Sequence, residues 1–138
     1  MHQTLATLTF DTGGRGLHEI TDDVTSWLSS AEIRTGLLTL FCQHTSASLL
    51  INENAAPAVQ RDLLRWLDAA VPEGADYEHD SEGPDDMPAH IKALLTGNSL
   101  TIPVADGRMT LGTWQGVFLA EHRRRAHRRH VVVHAFGE

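Results

Sequence analysis

Cysteine is nearly missing from this 138-residue chain: Cys42 stands alone, so no intrachain disulfide can form. Aromatic residues make up only 6%, and no apolar run approaches the roughly 20 residues that a membrane-spanning helix needs. The opening MHQTLATLTF lacks a basic region leading into an apolar stretch, which leaves a cytoplasmic, membrane-free protein as the expectation. Positive charge is also in deficit. A net charge of -7 argues against general affinity for nucleic acid. Repeats and low-complexity linkers are absent, and 138 residues suit one hydrophobic core, so a single domain over 1–138 is expected.

What is present is patterned. HQTLATLTFDT alternates as a half-buried strand and is broken by Gly13, Gly14 and Gly16. A helix then follows, because Ile20, Val24, Trp27 and Leu28 share one face, with Thr21 as its N-cap. GLLTLFCQ is too apolar for an exposed strand, which predicts a sheet covered on both faces or a subunit interface. SASLLIN forms the next strand after a polar corner at His44 to Ser46. Val59, Leu63, Trp66, Leu67 and Ala70 define a second helix between Pro57 and Pro72. A third spans about Pro88 to Leu95, with Asp85 or Asp86 as cap and Gly97 as its stop. SLTIPV, RMTLGT, GVFLAEH and HVVVHAF then read as strands, with a hairpin turn at Asp106-Gly107. The fold class is α+β, a mostly antiparallel sandwich-like sheet with two to three helices.

Val71 to Asp86 is the longest irregular stretch, and titratable chemistry gathers where it runs into the third helix, in YEHDSEGPDDMPAHIK, Tyr77 to Lys92. His44, His79 and His90 lie at element boundaries, where distant parts of a chain can converge on a divalent metal. Asp86 precedes His90 by four residues, so its carboxylate can fix that imidazole's tautomer or cap the helix. Glu53 can act as a general base or merely close a turn. Thr45 and Ser46 can hold an anionic group or serve a strand corner. Ser46 or Ser48 with His44 suggests a serine hydrolase, but the glycine-flanked nucleophile elbow is missing. LGTWQG offers Trp114 and Gln115 to a ring-shaped ligand, while EHRRRAHRRH reads as a charged hairpin loop.

The ordered blocks QHTSASLLINEN, YEHDSEGPDDMPAHIK, SLTIPV and LGTWQGVFLAEHR resemble the YjbQ-like family across essentially the whole chain. That family is also called secondary thiamine-phosphate synthase, because members weakly join hydroxymethylpyrimidine diphosphate to thiazole phosphate with release of pyrophosphate. The resemblance implies an α+β homotrimer with a site at a subunit boundary holding a metal or an anion, and a small phosphorylated metabolite as its partner. It implies metal-binding roles for His44, His79 and His90, catalytic roles for Glu53, Asp86 and Glu121, and substrate contacts from Thr45, Ser46, Thr113 and Gln115. The cofactor expected is a divalent metal, zinc-like for imidazole ligands, with magnesium an option beside a diphosphate. A metal-dependent hydrolase and a non-catalytic trimer that binds a phosphorylated metabolite are the alternatives. One departure from the family pattern is Ala56, where relatives carry Asp before the proline.

Overall fold

The computed structural model describes residues 1–138. Its elements run β1 (His2–Asp11), β2 (Gly16–Glu19), α1 (Thr21–Ser30), β3 (Gly36–Cys42), β4 (Ala47–Glu53), α2 (Pro57–Ala70), α3 (Asp86–Thr96), β5 (Ser99–Ala105), β6 (Arg108–Met109), β7 (Gln115–Glu121) and β8 (Arg128–Gly137). A five-stranded sheet has the order β1-β8-β3-β5-β6 and a three-stranded sheet the order β2-β7-β4; every pairing is antiparallel. This is the expected α+β class. No helix is long and apolar enough to cross a membrane.

The main core fills the space between the sheets. Leu38 and Leu40 of β3, Val131 and Val133 of β8, and Leu49 and Leu119 of the smaller sheet are all fully buried there. Val24 and Leu28 of α1 join the same cluster, as the helical spacing predicts. The smaller sheet is covered on its other face too: Phe118 is buried outside this core, and α3 packs on β4. Asp106 and Gly107 turn β5 into β6 with φ of 52° and 76°, the pair of positive angles that a tight hairpin requires.

Three expectations change. Gly16–Glu19 is a strand, β2, where only a break was expected; it is short, and its hydrogen bonds go to β7 about a hundred residues away. Strand β3 is not covered on both faces: Leu38, Leu40 and Cys42 are buried, whereas Leu37 and Phe41 are 41% and 44% exposed. Together with Leu5 and Phe136 they put four exposed apolar side chains on the outer face of the large sheet, set among Gln3, Thr7, Thr39 and His134. Finally, the arginine-rich segment is not a hairpin loop, because β7 and β8 belong to different sheets. It crosses between them, beside the Val71 to Asp85 stretch, which is irregular as expected.

Candidate metal centre

The third helix starts at Asp86, two residues earlier than expected, with Asp85 at the N-cap position but no side-chain cap bond. One helical turn brings Asp86 and His90 to the same side of α3, and the irregular segment folds His79 back onto them. The His79 Nε2 lies 2.8 Å from Asp86 Oδ2, and the His90 Nε2 lies 3.0 Å from the same oxygen. Ligand atoms of these three residues all fall within 4.8 Å of one another.

Protonation chemistry makes this cluster informative. His90 donates its Nδ1–H to the Thr45 carbonyl at 2.9 Å, which makes Nε2 the nitrogen turned toward the Asp86 carboxylate. Two acceptors at that distance repel unless a proton or a cation lies between them. An imidazole held through its other nitrogen by a backbone carbonyl is the usual arrangement of a metal-bound histidine. Two imidazoles and one carboxylate suit zinc or another transition metal better than magnesium, which prefers oxygen ligands.

The far side of Asp86 is anchored. Its Oδ1 accepts from Arg123 Nη1 at 2.7 Å, while Arg123 Nε bonds Asp85 at 3.0 Å and Nη2 bonds the Glu82 carbonyl at 3.0 Å. Burial pushes the Asp86 carboxyl up, but hydrogen bonding from His79 and the charges of His90 and Arg123 outweigh it and hold it below the usual range. For Asp85 the same contest ends lower, at about 2, because the Arg124 backbone N–H and the Arg123 guanidinium overcome burial. The hydrogen bond to Asp86 raises the His79 pKa, with further help from Glu82. Replacing Arg123 by Met, which keeps the aliphatic stem, is expected to weaken cation affinity about 10- to 100-fold. Competition with a chromogenic chelator measures this; an unchanged affinity would show that Arg123 does not support the centre.

The other candidates sort into three places. His44 and Thr45 line a cleft of about 520 Å³ with His90 and Met87, but His44 Nε2 accepts the His130 backbone N–H at 2.7 Å and is not in the His79–Asp86–His90 cluster. Burial first, then Arg129 and His130, lowers the His44 pKa. Ser46 and Glu121 lie inside a buried polar knot: Arg129 bonds the Ser46 hydroxyl at 2.9 Å and both Glu121 oxygens, and Thr12 donates to Glu121 at 2.6 Å. Glu121 is fully buried with its pKa lowered, since Arg129 and Thr12 outweigh burial; its oxygens are taken. Glu53, Thr113 and Gln115 lie elsewhere. Glu53 pairs with Gln115 at one end of the small sheet and Ala47 with Glu121 at the other, roughly 20 Å away at 3.3 Å per residue. There Glu53 accepts the Ala56 N–H at 3.0 Å and Gln115 accepts the Gly112 N–H at 2.7 Å, both turn-closing bonds.

Ser48 does meet a histidine, but it is His122, at 2.8 Å, and both side chains are buried. Burial, then the charge of Lys92, lowers the His122 pKa to about 4. The unfolded chain takes up this proton near its ordinary value of about 6.5, the folded one only near 4, so stability falls as pH drops through that window. The expected loss is about 2 kcal/mol between pH 7 and pH 5 in excess of that shown by His122→Gln, read from urea midpoints of metal-free protein. Equal pH slopes in the two proteins would refute it.

Sequence reasoning missed Arg123 and Glu82 as parts of this site. No local spacing signals a contact such as Arg123 to Asp86, which spans 37 residues.

Comparison with known proteins agrees with the whole-chain reading. Residues 6–138 match the family model described as UPF0047 protein YjbQ-like. A UPF0047 protein of Synechocystis sp. is 49% identical over 138 residues, covering 99% of this chain and 92% of the relative. YjbQ of Salmonella typhimurium is 49% identical over 133 residues, covering 96% of each. Among solved structures, a YbjQ-like protein of unknown function from Sulfolobus solfataricus superposes with a TM-score of 0.89 at 25% identity, covering 99% of this chain and 100% of that one. A conserved hypothetical protein from Thermus thermophilus gives 0.83 at 38% identity, covering 95% and 99%. Matched by the family model over residues 6–138 and 49% identical to a relative across its length, this chain belongs to the YjbQ-like UPF0047 family.

Proposed function

We propose that the chain is a metal-dependent transferase of the thiamine-phosphate synthase type, with its cation held by His79, Asp86 and His90. One observation carries the choice of a two-substrate reaction: two clefts, about 520 and 560 Å³, flank the cluster and share Met87 as a common wall. His90 opens on the first and His79 on the second. Each cleft is large enough for one ring-bearing phosphate ester. The step joins the thiazole nitrogen to the pyrimidine methylene carbon, breaks that carbon's bond to oxygen, and releases pyrophosphate. The cation would neutralise charge on the departing oxygens, while Thr45 holds the His90 ring in place and Arg123 holds Asp86.

The test is pyrophosphate release with zinc, manganese or magnesium supplied. Release that needs both hydroxymethylpyrimidine diphosphate and thiazole phosphate, and is lost in His90→Ala, is the expected result. Turnover of either substrate alone would replace this reading by metal-dependent hydrolysis. Binding without turnover would leave a non-catalytic metabolite binder.

The homotrimer implied by the family resemblance is proposed to form through the outer face around Leu5, Leu37, Phe41 and Phe136. His130 lies on that face and stacks on His44 at 5.8 Å between ring centroids, so the first cleft adjoins the proposed interface. A solution mass of three chains for wild type and one chain for Phe41→Glu is the expected outcome. An unchanged mass in Phe41→Glu would move the interface elsewhere.

A further inference from the structure

His44 carries a feature that the metal cluster does not use. Its Nε2 accepts a main-chain N–H from His130, and a main-chain amide can only donate. The Nε2 therefore keeps its lone pair inward, and the ring's single proton stands on Nδ1. No protein group accepts that Nδ1–H, and it is not among the buried polar atoms without a partner, so it reaches solvent. His44 lines the same cleft as His90, and the next residue, Thr45, supplies the carbonyl that orients His90. Stacking on His130 holds the ring's plane, with 21° between the two rings.

We infer that His44 is a neutral hydrogen-bond donor to a phosphate or diphosphate oxygen of the ligand bound beside His90, and is not a metal ligand. This deepens the proposed function by assigning a recognition group for the anionic part of the substrate. A donor fixed by its surroundings needs no reorganisation when charge gathers on a leaving oxygen, which gives it most value at a developing oxyanion. A metal ligand at Nδ1 would instead require that nitrogen to give up its only proton.

The probe is inorganic pyrophosphate, titrated calorimetrically into wild type and His44→Ala, each with and without zinc. His44→Ala is expected to keep the wild-type zinc stoichiometry and lose about tenfold in pyrophosphate affinity, the worth of one hydrogen bond to a charged group. Loss of zinc in His44→Ala, equal affinities, or no pyrophosphate binding by wild type would each overturn the inference. Nitrogen-15 spectra of the wild-type His44 ring give a second reading if the variant folds poorly. A protonated Nδ1 whose signal moves on adding pyrophosphate supports the donor; a protonated Nε2, or a zinc-bound Nδ1, refutes it. A wild type that binds pyrophosphate through His44 yet turns over no thiamine precursors would refute the proposed reaction and leave this inference standing.

Discussion

Asp86→Asn is expected to abolish the metal binding proposed for His79, Asp86 and His90, and with it the proposed metal-dependent activity. The substitution preserves shape but removes the charge that faces His79 at 2.8 Å and His90 at 3.0 Å. A neutral amide oxygen is a poor ligand for a divalent cation, and the Asn amide nitrogen would meet either an imidazole or Arg123. The Asp86 side chain is only 5% exposed, so no water can take over its role on the Arg123 side. Elemental analysis of reconstituted wild type and variant reads the effect directly, with His79→Ala and His90→Ala as companions. Asp86→Ala should in addition destabilise the fold by about 1 to 2 kcal/mol, because the Arg123 guanidinium loses one of its two carboxylate partners while keeping Asp85. A variant that retains full zinc would overturn the centre as assigned.

Glu121→Gln is expected to cost 3 to 5 kcal/mol of folding stability, on the order of what breaking one side of a buried ion pair costs. Arg129 is 4% exposed and Glu121 fully buried, at the point where β7 leaves one sheet and β8 enters the other. Removing the carboxylate's charge leaves the Arg129 guanidinium dry and uncompensated, and disturbs Thr12, whose hydroxyl donates to Glu121 and whose N–H bonds the His127 carbonyl. The urea midpoint measures this, with the slope of the transition unchanged. Replacing both partners together, Glu121→Leu with Arg129→Met, should recover most of the loss, since apolar groups of similar volume carry no desolvation penalty. If the single variant falls within about 1 kcal/mol of wild type, the pair contributes little and Glu121 regains its standing as a reactive group. The same result would reopen the family-implied catalytic role, which the geometry otherwise fills with structural bonds.

The two predictions separate carboxylates that look equivalent in the sequence. Asp86 and Glu121 each have a histidine close by in the chain and an arginine partner in the fold, but only Asp86 has an oxygen facing imidazole nitrogens that border open clefts. Both Glu121 oxygens are spent on Arg129, Thr12 and the Arg123 backbone.

The amino-acid order by itself determined whatever depends on near neighbours. Helix α2 follows from the apolar spacing after Pro57, although of its expected buried face only Leu67 is buried and Trp66 stands 64% exposed, and the β5–β6 turn follows from Asp106-Gly107. The Asp86–His90 pair follows from the helical turn that separates them, and the antiparallel α+β class from helices set among paired strands. Tertiary structure decided the contacts between residues far apart in the chain. Only sheet pairing shows that β3 keeps one face bare, that β7 and β8 part company, and that Glu53 and Gln115 sit roughly 20 Å from Glu121 at 3.3 Å per residue. Only the folded chain carries Arg123 to Asp86 across 37 residues, and the His130 amide to His44 across 86. The reason is physical: local periodicity encodes which face of an element is buried, whereas the partner of a polar atom is chosen by the packing that brings two distant segments together.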